Sequence, residues 1–145
     1  MSKSNTLENS ILLLIFNATT FADIAENDTT SPATNLYVTL HTADPGEAGT
    51  QATNETSYGS YARVAVARSG AGWTVAGNTV TNAGLVQFPQ CTSGTPTITH
   101  VGVGIGATAA AATVLLYKGE LSSPLAVSSG IQPQFAIGAL SIAED

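Results

Sequence analysis

The chain has 145 residues, of which only four are basic and ten acidic, giving a net charge of −6 with 43% hydrophobic residues. So few cations exclude nucleic acid and anionic membrane as partners bound through counterion release, and the hydrophobic content excludes intrinsic disorder. The length predicts one domain, 1–145, and a lone cysteine, Cys91, excludes an internal disulfide.

Asn5-Thr6-Leu7-Glu8 has the form of a capping box with Asn5 as N-cap, so a helix is expected from there to about Asn17. Leu7, Ile11, Leu14, Ile15 and Ala18 fall on one stripe, and Leu12, Leu13 and Phe16 widen it. A helix this apolar is buried on more than one side, either wholly in its own core or partly against a partner subunit. Phe21–Glu26 extends the helical segment to about residue 27, before a loop rich in Thr, Ser and Pro. The apolar run Ile11–Phe16 is shorter than the roughly 7–15 residues of a signal-peptide core. It is also far below the ~20 residues of a membrane span. The expectation is an unprocessed protein made in the cytoplasm.

From residue 35 to 143 the pattern is β. In Asn35–His41, Leu36, Val38 and Leu40 alternate with Tyr37, Thr39 and His41, the period of a half-buried strand. His41 reads as a surface histidine on the polar face. Asp44-Pro45-Gly46 is a turn. It opens a loop, Thr42–Tyr58, that has no hydrophobic period and is expected to be flexible or ordered by a partner. Gly59–Ala67 is the next strand, and Gly72–Ala76 and Thr79–Ala83 flank Gly77-Asn78, a type II′ hairpin signal. Val86 and Phe88 mark a strand ended by Pro89, and Pro96 opens Thr97–Ile105. Thr113–Lys118 and Pro124–Ser128 follow as two strands, then Gln132–Ala143, where a change of parity at Gly138 predicts a bulge or bend. Short strands spaced by about 8–12 residues predict a mainly β fold, an antiparallel sandwich or barrel with an N-terminal α-helix.

Catalytic chemistry is hard to assemble from these residues. His41, His100, Cys91 and Asp44 lack the paired spacing of metal ligands, so no metal or other cofactor is expected. No Gly-x-Ser-x-Gly elbow is present, and Asp44, Glu47 and Glu55 share one loop that reads as solvated surface. Gly102, Gly104 and Gly106 alternate along a strand and predict close approach of another backbone rather than a phosphate cradle. Trp73, Tyr37, Tyr58 and Tyr61 are candidates for a sugar platform, although a core anchor and sheet-surface fillers fit them better. Arg63 and Arg68 are expected to pair with acids here or on a neighbour. No enzyme is expected.

Leu36–Gly46, Ser60–Val66, Gly72-Trp73, Thr99–Gly104, Leu115–Gly119 and Ile131–Phe135 together resemble a pattern found in small proteins of tailed bacteriophages, often labelled tail-fibre proteins. Some of these closely resemble the cement, or decoration, proteins of icosahedral capsids. The resemblance implies a jelly-roll-like β-sandwich that self-associates as a dimer or trimer, sits on the outer capsid surface of the virion and bridges major capsid protein subunits. The alternative is a tail-fibre or receptor-binding module for host-surface glycan. Candidate contacts with a neighbouring subunit or the capsid are Leu12, Leu13, Phe16, Asp44, Glu47, Tyr58, Tyr61 and Arg63.

Overall fold

A computed structural model describes residues 3–21, 24–27 and 29–144. It is mainly β and antiparallel with one N-terminal helix, the class expected. The elements are α1 (Asn5–Asn17), β1 (Asn35–His41), β2 (Val64–Ala67), β3 (Trp73–Ala76), β4 (Thr79–Asn82), β5 (Val86–Gln87), β6 (Thr97–Gly104), β7 (Leu115–Ala126), β8 (Gln134–Phe135) and β9 (Ser141–Ala143). Strands β2-β1-β6-β7 form a four-stranded sheet, β3-β4-β9 a three-stranded one, and β5 pairs with β8.

The chain divides into two compact units, each drawn from separated segments. The first takes the chain up to Asn35, Val66–Val86 and the chain from Phe135. In it α1 packs on β3 and β4. Leu12 and Phe16 are fully buried, and Phe16 meets Trp73 edge to face with ring centroids 4.9 Å apart. The N-cap is Ser4, not Asn5: Ser4 is extended and its hydroxyl accepts the Leu7 N–H at 3.3 Å, so Asn5 already lies inside the helix. At the other end Ala18 adopts the left-handed conformation (φ 55°), and the Thr19 N–H reaches back to the Leu13 carbonyl, as in a Schellman closure. No basic residue occupies the last turn. Arg68 supplies the missing cation from elsewhere in the chain, donating to the carbonyls of Ile15 (2.6 Å) and Leu14 (2.5 Å) and to Asn27 Oδ1 (2.6 Å). It therefore pairs with the end of a helix, not with the acid expected. Phe21 and Ala25 exchange backbone hydrogen bonds as an antiparallel bridge instead of continuing a helix; residues 22 and 23 between them lie outside the described residues.

The β3–β4 hairpin closes over Gly77-Asn78 with Ala76 opposite Thr79. Gly77 has φ +62°, as the first residue of a type II′ turn must. β9 pairs with β4, and Gly138 (φ +76°) makes the bend before it, as the change of parity predicted. Buried Asn82 holds that bend in place. Its amide donates to the carbonyls of Gly84 and Ala136, and its Oδ1 accepts the Leu140 N–H.

The second unit comprises Leu36–Ala65 and Gln87–Gln134. β1 pairs with β6 over Tyr37–His41 and Gly104–His100, and β6 pairs with β7. β1 is buried on both faces, with Thr39 and His41 as inaccessible as Val38. β2 starts only at Val64, so the first half of the expected strand Gly59–Ala67 is turn and loop. The two strands expected around residues 113–128 are one strand, β7. Between Ile98 and His100 of β6 the register on β7 jumps from Leu125 to Glu120, so Leu121–Pro124 bulge out without ending the ladder.

Candidate functional site

The side chains with the most chemistry in the second unit form a closed, buried hydrogen-bond network. Arg63 leaves the chain just before β2 with a fully buried side chain and uses all five of its N–H donors. Nε and Nη2 bind Glu55 Oε1 and Oε2, each at 2.8 Å; Nη1 binds the Gly106 carbonyl (2.9 Å) and Thr113 Oγ1 (3.0 Å); Nη2 also binds the Ala111 carbonyl (2.9 Å). Glu55 accepts further bonds from the Tyr61 hydroxyl (2.9 Å) and the Ala110 N–H (2.8 Å). Burial pushes the Glu55 carboxyl up, but Arg63, the Ala110 N–H and Tyr61 outweigh it and hold the group below the usual carboxylate range. Gln51, also inaccessible, accepts from the Gly106 N–H and from Thr113 Oγ1, both at 2.7 Å.

The glycines of β6 and the following loop make room for this network. A Cβ at Gly104 would lie 2.3 Å from Gln51 Cδ, and one at Gly106 would lie 2.0 Å from Thr113 Oγ1. At Gly102 it would meet Thr39 Oγ1 (2.6 Å) and His41 Nε2 (2.8 Å). The close approach predicted from the alternation is real, but side chains make most of it.

His41 is fully buried, against the expectation of a surface histidine. Its Nδ1 lies 2.9 Å from the Thr53 carbonyl, which only accepts, so Nδ1 carries the proton and Nε2 accepts from the Thr39 hydroxyl at 2.8 Å. Burial lowers its pKa below 6.5, with Arg63 and His100 acting in the same direction and Glu55 opposing. Thr42 and Thr56 add backbone bonds to Asn54 and Leu40. The loop expected to be flexible, or to wait for a partner, is thus ordered by its own chain.

These contacts relocate several candidate interface residues. Leu12, Phe16, Tyr58 and Arg63 are buried, and Leu13 is half-buried. Leu12 and Phe16 serve the core of the first unit, Tyr58 donates to the Pro89 carbonyl at 2.9 Å, and Arg63 holds two loops. Tyr61 is half-buried, stacked on Phe88 and bonded to Glu55 and to the Leu40 N–H. With Trp73 fully buried and Tyr58 nearly so, these residues do not form an exposed sugar platform.

Asp44 and Glu47 are exposed and sit together on one rim, where Lys118 reaches them at 3.0 and 3.3 Å. A backbone hydrogen bond from Gly46 to Asp44 Oδ1 and the contact with Lys118 lower the Asp44 pKa. Beside this rim a cleft of about 240 Å³ runs between Gly46, Glu47 and Gly49 on one wall and Leu115–Lys118 on the other. Gln51, Thr113, Asn82 and Lys118 were not singled out from the sequence, because each acts on residues far along the chain. Among the described residues no cluster of three or more His, Cys, Asp or Glu side chains is placed to hold a metal. No described helix is long and apolar enough to cross a membrane.

No curated protein matches the chain. A family model described as podophage GP4 fiber I protein gp80 matches residues 2–143. The chain belongs to that family and is a bacteriophage virion protein of the structural, fibre type.

Proposed function

We propose that this protein acts by contact alone: it binds the outside of an icosahedral phage capsid as a self-associated dimer or trimer and bridges major capsid protein subunits. The observation that carries the reading is how the ionisable groups are used. Arg63, Glu55 and His41 are spent on holding loops, each saturated by internal hydrogen bonds, so none is free for acid–base or nucleophilic work. Large apolar side chains remain in solvent, among them Ile24 (73% exposed), Ile137 (72%), Val114 (54%) and Leu85 (53%). Exposed apolar side chains suit subunit contacts, and binding only the assembled shell stabilises it by mass action.

A tail-fibre or receptor-binding role for host-surface glycan is the second reading, favoured by the word fiber in the family description. Counting copies in purified virions by quantitative mass spectrometry separates the two. Copies in fixed proportion to the major capsid protein are expected; a number no larger than the tail can hold would overturn the capsid reading in favour of the fibre.

A further inference from the structure

We infer that Leu85 and Ile137, with the bare backbone of Gly84 and Gly138 beside them, form a self-complementary patch on the first unit. It takes the same patch of a second copy of this chain across a two-fold axis. The patch carries the self-association of the proposed function, a reading on which it rests. Both side chains are large, apolar and mostly in solvent, Leu85 53% and Ile137 72% exposed. Buried Asn82 holds their two turns together. Its Nδ2 donates to the carbonyls of Gly84 (2.7 Å) and Ala136 (2.8 Å), the residues just before them in the chain. Its backbone carbonyl accepts the Gly138 N–H at 2.9 Å. Segments far apart in sequence are thus tied to one buried residue, which presents their outward side chains as a pair.

The glycines supply the other half of the contact. A Cβ on Gly84 would meet nothing within 4 Å, and Gly84 is not among the glycines with positive φ, so nothing inside the chain asks for glycine there. The space in front of Gly138 is open as well. An apolar projection beside an unfilled seat is what a two-fold contact needs, because each copy must present both halves. The other exposed apolar pair, Ile105 and Val114 in the second unit, has no such seat: the room in front of Gly104 and Gly106 is filled by Gln51 and Thr113.

Charge selects the occupant. Each copy carries a net charge of −6, so two copies repel wherever their acids face each other. No Asp, Glu, Lys or Arg occurs between Arg68 and Lys118 or between Glu120 and Glu144, and both turns of the patch lie in these stretches. In the first unit every acid lies before Asn35 or at Glu144-Asp145. A neutral patch gives a cationic partner nothing to recognise, whereas it lets two acidic chains meet without opposing charges. A second copy brings the matching uncharged, apolar face.

The test is sedimentation velocity on the purified chain over a range of concentrations. A dimer is expected, and Ile137→Asp and Gly84→Gln are each expected to raise its dissociation constant by about tenfold or more. Circular dichroism and the urea midpoint stay unchanged in both, because Ile137 is exposed and a side chain at position 84 meets open space. Val114→Asp, which adds the same charge at an exposed apolar position of the second unit, is expected to leave the dimer intact. A chain that stays monomeric at every concentration overturns both the patch and the self-association it rests on. A closed trimer, a dimer that neither variant weakens, or one that Val114→Asp weakens equally, overturns the patch alone.

Discussion

Arg63 carries more of the second unit than any other side chain, because five carbonyl, hydroxyl and carboxylate partners lose a donor if it is removed. Arg63→Ala leaves Glu55 buried and uncompensated, and is expected to cost about 3–5 kcal/mol in urea denaturation. Arg63→Lys is expected to recover little, since an ammonium cannot reproduce the planar fork. Titration adds a second signature. His41 stays neutral in the folded protein, so below pH 6.5 the unfolded chain binds the extra proton and stability falls as pH drops; Glu55, held below 4.5, extends the loss further into acid. Burial raises Tyr58 from 10 to about 12 and Tyr61 further still, so the unfolded chain loses protons first and stability falls again above pH 10. Urea midpoints measured across this range are expected to form a plateau between these limits, and a flat acid limb in His41→Gln down to the Glu55 range would tie the first loss to that ring. Sequence parity placed His41 on the right face of β1 but could not give its depth, because both faces of that strand are covered by segments distant in the chain.

α1 shows what local signals can and cannot reach. The capping-box signal placed its start within a residue, the cap being Ser4 and not Asn5, whereas the cation for its carbonyl end came from Arg68, more than fifty residues on. Arg68→Ala is expected to fray the last turn, lowering helical circular dichroism together with the urea midpoint. Ala18→Gly acts the other way. It relieves a left-handed alanine and is expected to raise stability by up to about 1 kcal/mol, a gain that a urea titration resolves. The Gly77-Asn78 hairpin and the Gly138 bend were legible because a turn is chosen by the residues inside it. β7 was not, since Ser122-Ser123-Pro124 reads as a break and only the partner strand reveals that pairing resumes at Leu125. The loop after His41 was misjudged for the same reason: Gln51 and Glu55 find their partners at Gly106–Thr113.

For the whole molecule, the mainly β class was readable from strand spacing, and the family of phage structural proteins from the resemblance carried by its motifs. The depth of single side chains was not. Leu12, Phe16 and Tyr58, chosen for being apolar or aromatic, are buried within their own units, while the exposed acids Asp44 and Glu47 keep a place on the surface beside a cleft. A side chain's type predicts that it wants to be covered, not what covers it. The proposed contact role draws on the charge-poor composition, the saturated buried Arg63–Glu55 pair and protruding apolar residues such as Ile137. Electron cryomicroscopy of intact virions tests that account most directly. Density for this chain repeated over the outer face of the icosahedral shell, spanning adjacent major capsid subunits, is the predicted result, and density confined to the tail, or a shell that carries none, would contradict it.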